Sequence, residues 1–203
     1  MQNCQKQHPP ERGPGGSQGA KARGDPSRRM ASEGGMRNYH KEENIMAIRN
    51  VRVEGDPILR KKSREVREVT PKIRELIDDM LETMYEKEGV GLAAPQVGIL
   101  KRVVVIDIGD GPLVMINPRV VREEGSQTGD EGCLSIPGKA GQVTRPNDVT
   151  VRYMDENEEY YELDGTELLA RAICHECEHL DGKLYVDIVE GGLHDVVPED
   201  EEE

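Results

Sequence analysis

The segment His175-Glu176-Cys177-Glu178-His179 limits the fold more than any other part of the chain. Two histidines at positions i and i+4 converge on one point only if the backbone between them is α-helical. The surrounding residues agree. The spacing predicts a helix over 166–180 that stops at Gly182. Glu176 sits about 100° further round this helix than His175, where its carboxylate can reach a water held by a metal and act as general base. The alternative is an exposed acidic helix. The H-E-x-x-H spacing favours a metal site.

A catalytic site of this kind needs a third protein ligand and an open position. One metalloprotease pattern would place another histidine at position 185, where this chain has Tyr185. A second pattern uses a glutamate on a following helix, but Glu190 precedes Gly191-Gly192 and has no helical pattern around it. Neither is completed. Cys174 and Cys177 share the helix with the histidines. Cys177 lies roughly 200° from one of them, on the far face, and both cysteines read as small buried residues. Cys133, in Asp130-Glu131-Gly132-Cys133-Leu134-Ser135, is flanked by glycine and by a turn ending at Pro137-Gly138. It reads either as a thiolate completing a Cys-His-His site or as a buried apolar residue. A third segment, Gly89-Val90-Gly91-Leu92-Ala93-Ala94-Pro95-Gln96, is rich in small residues that permit close backbone approach. Gln96 offers an amide donor to an oxyanion; the alternative is a packing loop.

The rest of the patterning is that of an α+β domain. A helix is predicted over 70–87, with Thr70 as N-cap, Pro71 at the first helical position and Gly89 as stop. Ile73, Leu76, Ile77, Met80, Leu81 and Met84 form its buried face. β-Branched runs at 102–108 and 113–121 flank Gly109-Asp110-Gly111-Pro112, and 149–154 and 160–163 flank Asp155-Glu156-Asn157-Glu158, giving two hairpins. Strands and helices do not alternate, so antiparallel sheets around a central helix that bears the two histidines, with one further amphipathic helix N-terminal to it, are expected.

Composition narrows the function. The 203 residues carry a net charge of −13. Residues 1–45 hold eight Lys/Arg against five Asp/Glu, a net +3, so the remainder carries −16. That charge, with no Trp or Phe, argues against nucleic-acid binding and base stacking. No apolar run is long enough to span a bilayer and the first residues are not a secretory signal. Four cysteines in a chain of this length suit a reducing cytosol.

Three units follow. Residues 1–45 lack apolar periodicity and read as a disordered leader. Lys41-Glu42-Glu43 can be encoded by AAGGAGGAA, a purine-rich ribosome-binding sequence just ahead of Met46. Residues 1–45 are therefore either a translated leader before a natural start at Met46 or a real flexible tail. Residues 46–190 form the catalytic domain. Residues 191–203, ending Pro198-Glu199-Asp200-Glu201-Glu202-Glu203, read as an acidic flexible tail.

Taken together, Gly89 to Gln96, Glu131 to Ser135 and His175 to His179 resemble the peptide deformylase signatures G-x-G-L-A-A-x-Q, E-G-C-L-S and H-E-x-D-H, in order and separation. The resemblance runs from about residue 46 to 189. It implies that Cys133, His175 and His179 hold one divalent metal, Fe(II) natively, with Zn, Ni or Co able to replace it. It also implies hydrolysis of the formyl group from N-formylmethionyl nascent peptides, with release of formate. A metal-bound water would be the nucleophile. Glu176 would be general base and then acid, and Gln96 with the Leu134 backbone N–H would stabilise the oxyanion. The methionine pocket would include Val90, Leu134, Leu168 and Ala172, and Gly91 would hold the peptide as an added strand. A cytoplasmic monomer that meets the ribosome transiently, and neither DNA nor membrane, is expected. Two features depart from the family. Glu178 replaces the usual aspartate, and the acidic end replaces a basic C-terminal helix, which puts ribosome docking by that route in doubt. A metallopeptidase and a metal-binding relative without activity are the competing readings.

Overall fold

The structure is a computed structural model that describes residues 47–196 and the backbone of Gln5–Lys6. The expected leader over 1–45 lies outside the described residues apart from Gln5–Lys6 (β1). The architecture is α+β with antiparallel sheets and two α-helices among the described residues, as the patterning predicts.

Helix α1 spans Pro71–Glu86. Thr70 occupies the N-cap position with Pro71 first in the helix, but the Thr70 side chain makes no capping hydrogen bond. The predicted apolar stripe is the buried face, with Leu81 partly buried beside it. The stop differs from expectation. Glu88 takes the left-handed conformation (φ 54°), and the Gly89 N–H donates to Met84 O at 2.9 Å. Gly89 is instead in close contact with the site loop: a Cβ there would lie 2.9 Å from the end of the Leu134 side chain.

One sheet has the order β1-β8-β7-β4-β3-β2, where β2 is Gly91–Ala93, β3 Val103–Ile106, β4 Leu113–Glu124, β7 Asp148–Met154 and β8 Tyr160–Thr166. Both predicted hairpins are in it. The segment of small residues is partly strand, with Gly91, Leu92 and Ala93 opposite Ile106, Val105 and Val104. The second sheet, β5-β6-β9, was not expected from the sequence. Its strands are β5 (Gln127–Cys133), β6 (Ile136–Arg145) and β9 (Glu190–Asp195). Residues 190–195 therefore extend the ordered fold into the segment expected to be a tail. Gly141 on β6 makes this possible, because a Cβ there would meet Val189 Cγ2 at 2.3 Å. Lys139 and Asp195 pair across the strands at 2.5 Å.

Helix α2, Glu167–Leu180, is buried on nearly every side. Leu169, Ala170 and Ile173 pack with Val104, Met115 and Val151 of the larger sheet. Arg171 and His175 instead meet the smaller sheet. The helix ends as predicted: Gly182 is left-handed (φ 77°), and the Lys183 N–H donates to Glu178 O at 3.0 Å. Among the described residues no helix is long and apolar enough to cross a membrane.

Candidate active site

Three ligand atoms, one each from Cys133, His175 and His179, lie within 4.8 Å of one another. Cys133 ends β5, where the ladder with β6 shifts register, and the two histidines come from successive turns of α2. Cys133 Sγ is 3.2 Å from His179 Nε2. A tetrahedral ion with bonds of about 2.3 Å to sulfur and about 2.0 Å to nitrogen holds its donors roughly 3.5 Å apart. The set fits such an ion.

The sulfur also accepts from Gln96 Nε2 and from the Ser135 N–H, each at 3.4 Å. Gln96 is not on a loose loop. It lies in a 3₁₀ turn, Ala94–Val97, and is 1% exposed. Its Oε1 accepts from the Ala93 N–H at 2.8 Å, so the backbone dictates that Nε2 points at Cys133 and at Ser135 Oγ, 3.2 Å away.

His175 Nδ1 is 2.9 Å from Glu131 Oε2. Burial raises the Glu131 pKa, but His175 and Arg145 outweigh it and bring the value to about 2. An ionised carboxylate only accepts, so Nδ1 carries the proton and Nε2 is left for a cation. For His175 itself, burial works against charge, yet its interactions with Cys133 and Glu131 push it up to about 10. Nε2 thus sits where positive charge collects, whether a proton or a metal ion. His179 is held well below its usual value by burial first and then by the charge on His175, so it stays neutral.

Glu176 is 4% exposed, and burial lifts it to about 7. Its Oε2 has no hydrogen-bond partner among the described residues. A buried carboxyl without a partner is costly and suits a group that exchanges a proton with substrate. Gly91 makes room for it, since a Cβ on Gly91 would lie 2.5 Å from Glu176 Oε1.

The remaining expectations divide. Leu134 is part-buried in the turn beside Cys133 and packs against the α1 cluster. Val90 and Leu168 are each 49% exposed, and Ala172 is buried one turn before His175. Tyr185 is not a ligand: its ring stacks 6.0 Å from His175 and its hydroxyl donates to Lys139 O at 3.1 Å. Glu190 lies on β9, paired with Gln142. Cys174 and Cys177 lie outside the ligand cluster, and burial pushes their thiols up to about 11 and 12.

No motif or periodicity points to Arg145 or Arg171. Arg145 Nε and Nη2 donate to the two oxygens of Glu131 at 2.6 and 2.9 Å, and Arg171 Nη1 donates to Oε1 at 2.8 Å. Glu131 stood inside a motif, but its partners are 14 and 40 residues away.

The family model described as polypeptide deformylase matches residues 48–192. A peptide deformylase of Agathobacter rectalis is 70% identical over 158 residues, covering 78% of this chain and all of the relative. One from Lachnoclostridium phytofermentans is 60% identical over 161 residues, covering 78% of this chain and 99% of that protein. Among solved structures, peptide deformylase from Thermotoga maritima superposes with a TM-score of 0.70 at 39% identity, covering 71% of this chain and 99% of its own. That from Synechococcus elongatus, in complex with actinonin, gives 0.68 at 46% identity, covering 70% and 78%.

Proposed function

The chain belongs to the polypeptide deformylase family, and we propose that it removes the formyl group from the N-terminal formylmethionine of newly made polypeptides and releases formate. The observation that carries this reading is the convergence of Cys133, His175 and His179 with the Gln96 amide, beside a buried Glu176.

Cys133, His175 and His179 would hold one divalent ion. Fe(II) is the native choice, with Zn, Ni or Co as substitutes, since a Cys-His-His set takes each of them. When bound, the ion supplies Lewis acidity and brings water to its deprotonation range near neutral pH. Glu176 takes the proton from the attacking water at a carboxylate oxygen and returns it to the departing amine. Its pKa of about 7 matches both duties. Gln96 Nε2 and the Leu134 N–H donate to the formyl oxygen as its charge develops. Val90, Leu134, Leu168 and Ala172 form the methionine pocket. Among the described residues β2 is an edge strand, and at Gly91 the peptide would add to it as a further strand. This activity belongs to residues 46–190 of a cytoplasmic monomer. Any contact with the ribosome is transient and does not use the acidic C-terminus.

The test is anaerobic incubation with a short formyl-methionyl peptide, following formate. Release that a chelator abolishes and Fe(II) restores is expected. No formate from protein carrying one metal equivalent overturns the reading. Cleavage of unformylated peptides would point to a metallopeptidase instead.

A further inference from the structure

Building on the deformylase reading, we propose that Glu178 is a positioning residue for His175, acting through Arg145 and Glu131. The contacts are continuous. Glu178 Oε2 forms an ion pair with Arg145 Nη2 at 3.0 Å, without hydrogen-bond geometry. The same Nη2 donates to Glu131 Oε2 at 2.9 Å, and that oxygen faces His175 Nδ1 at 2.9 Å.

The two oxygens of Glu131 are not held equally. Oε1 receives two arginine donors, Arg145 Nε at 2.6 Å and Arg171 Nη1 at 2.8 Å. Oε2, which sets the imidazole, receives one, from Arg145 Nη2. That nitrogen is also the one Glu178 holds. Losing Glu178 therefore loosens the single arginine contact that fixes the oxygen behind His175, while Arg171 keeps the rest of the carboxylate in place. Arg145 and Glu131 side chains are 3% and 5% exposed, so the charges behind the imidazole are buried, whereas the Glu178 side chain is 26% exposed. Glu178 and His175 are three residues apart on α2, so the path leaves the helix, crosses β6 and β5, and returns to the same helix face. Outer partners of a metal-ligating imidazole fix its ring and its protonated nitrogen, and with them metal affinity.

The experiment compares Glu178→Ala, Glu178→Gln and Glu178→Asp with the parent chain. Two readouts are independent of turnover. One is the His175 Nδ1–H resonance of the Zn(II)-loaded protein, by NMR. The other is the rate at which Co(II)-loaded protein loses its ion to a chelator. Glu178→Ala is expected to exchange-broaden the resonance and to speed Co(II) loss about tenfold. Glu178→Asp keeps the charge and is expected to stay within about threefold of the parent. An unchanged resonance and unchanged ion loss in Glu178→Ala overturn the proposal, even if its melting temperature falls. A loss in Glu178→Asp equal to that in Glu178→Ala also overturns it. Should Glu178→Ala not fold, Glu178→Gln carries the same comparison. Failure of the parent chain to release formate would remove the deformylase reading and leave these two readouts standing.

Discussion

The bare α-carbon of Gly91 faces the carboxylate of Glu176, so closely that a β-carbon would lie 2.5 Å from Oε1. Two segments 85 residues apart thus share one small space: the strand proposed to receive a peptide and the helix that carries the proposed proton acceptor. Gly91→Ala must push the carboxylate aside. Displacement of a catalytic group by about 1 Å costs roughly 10²-fold. We expect kcat/KM for a formyl-methionyl peptide to fall by about that factor while bound metal stays at one equivalent. Activity within about twofold of the parent would show that Glu176 tolerates displacement, and would weaken its assignment as base.

Gln96 offers a cleaner test of oxyanion stabilisation because its two amide ends have separate tasks. Oε1 serves the Ala93 N–H, and Nε2 faces the site. Gln96→Glu keeps an acceptor for Ala93 and removes the donor. Loss of one oxyanion donor costs about 10²–10³ in kcat. Steady-state kinetics should show that fall with KM changed far less.

The buried charges around Glu131 are expected to matter for stability as well as for chemistry. Removing one partner of a buried ion pair costs about 3–5 kcal/mol, because the other charge is left without water. Glu131→Ala removes the carboxylate shared by Arg145 and Arg171, although Arg145 keeps its ion pair with Glu178 and Arg171 its bonds to the carbonyls of Gly129 and Val143. Urea unfolding of the metal-free protein should show a loss near the lower end of that range. Glu162→Ala, which breaks an exposed pair with Arg152, is the control and should cost below about 1 kcal/mol.

The elements that could be read from the sequence are those whose burial follows apolarity. The stripe from Ile73 to Met84, the β-branched hairpins and the i, i+4 histidines all obey that rule. The smaller sheet does not. On β6, Gly141, Val143 and Arg145 are buried while Gln142 and Thr144 are exposed, a strict strand alternation. Glycine and arginine hide it, because neither looks apolar. Gly141 is buried because Val189 occupies its side-chain space, and Arg145 because Glu131 neutralises it. Both reasons are tertiary and invisible to a local pattern. The same holds for β9, whose Glu190-Gly191-Gly192 looks like the start of a tail. It also holds for the chain reversal after α1, where Glu88 rather than Gly89 takes the left-handed turn. Within the site, the two histidines were legible in their i, i+4 spacing, whereas Cys133 was singled out only by the family resemblance. The arginines behind this set were not legible, since a buried ion pair leaves no spacing of its own.

Asp187 ties the turn that carries Tyr185 to the segment before α1. Its Oδ2 accepts from Arg60 Nη1 at 2.6 Å and from the Leu184 N–H at 2.9 Å. Burial works against ionisation of this carboxyl, but Arg60 and the Leu184 N–H hold it below its ordinary 3.8. A carboxyl depressed on folding adds stability that is present above its unfolded value and is lost as pH falls through the folded one. The contribution should therefore be complete well above pH 3.8 and be lost as the pH falls below it. Its size is limited because the two side chains are 43% and 40% exposed, which keeps it to about 1 kcal/mol or less. Asp187→Asn should accordingly be less stable than the parent chain in urea at pH 7, and the gap should narrow as the pH is lowered below 3.8. A gap that does not narrow with falling pH would mean that the amide disturbs the turn itself, and the ring of Tyr185 against His175 would then be the next place to look, by the rate of Co(II) loss in the same variant.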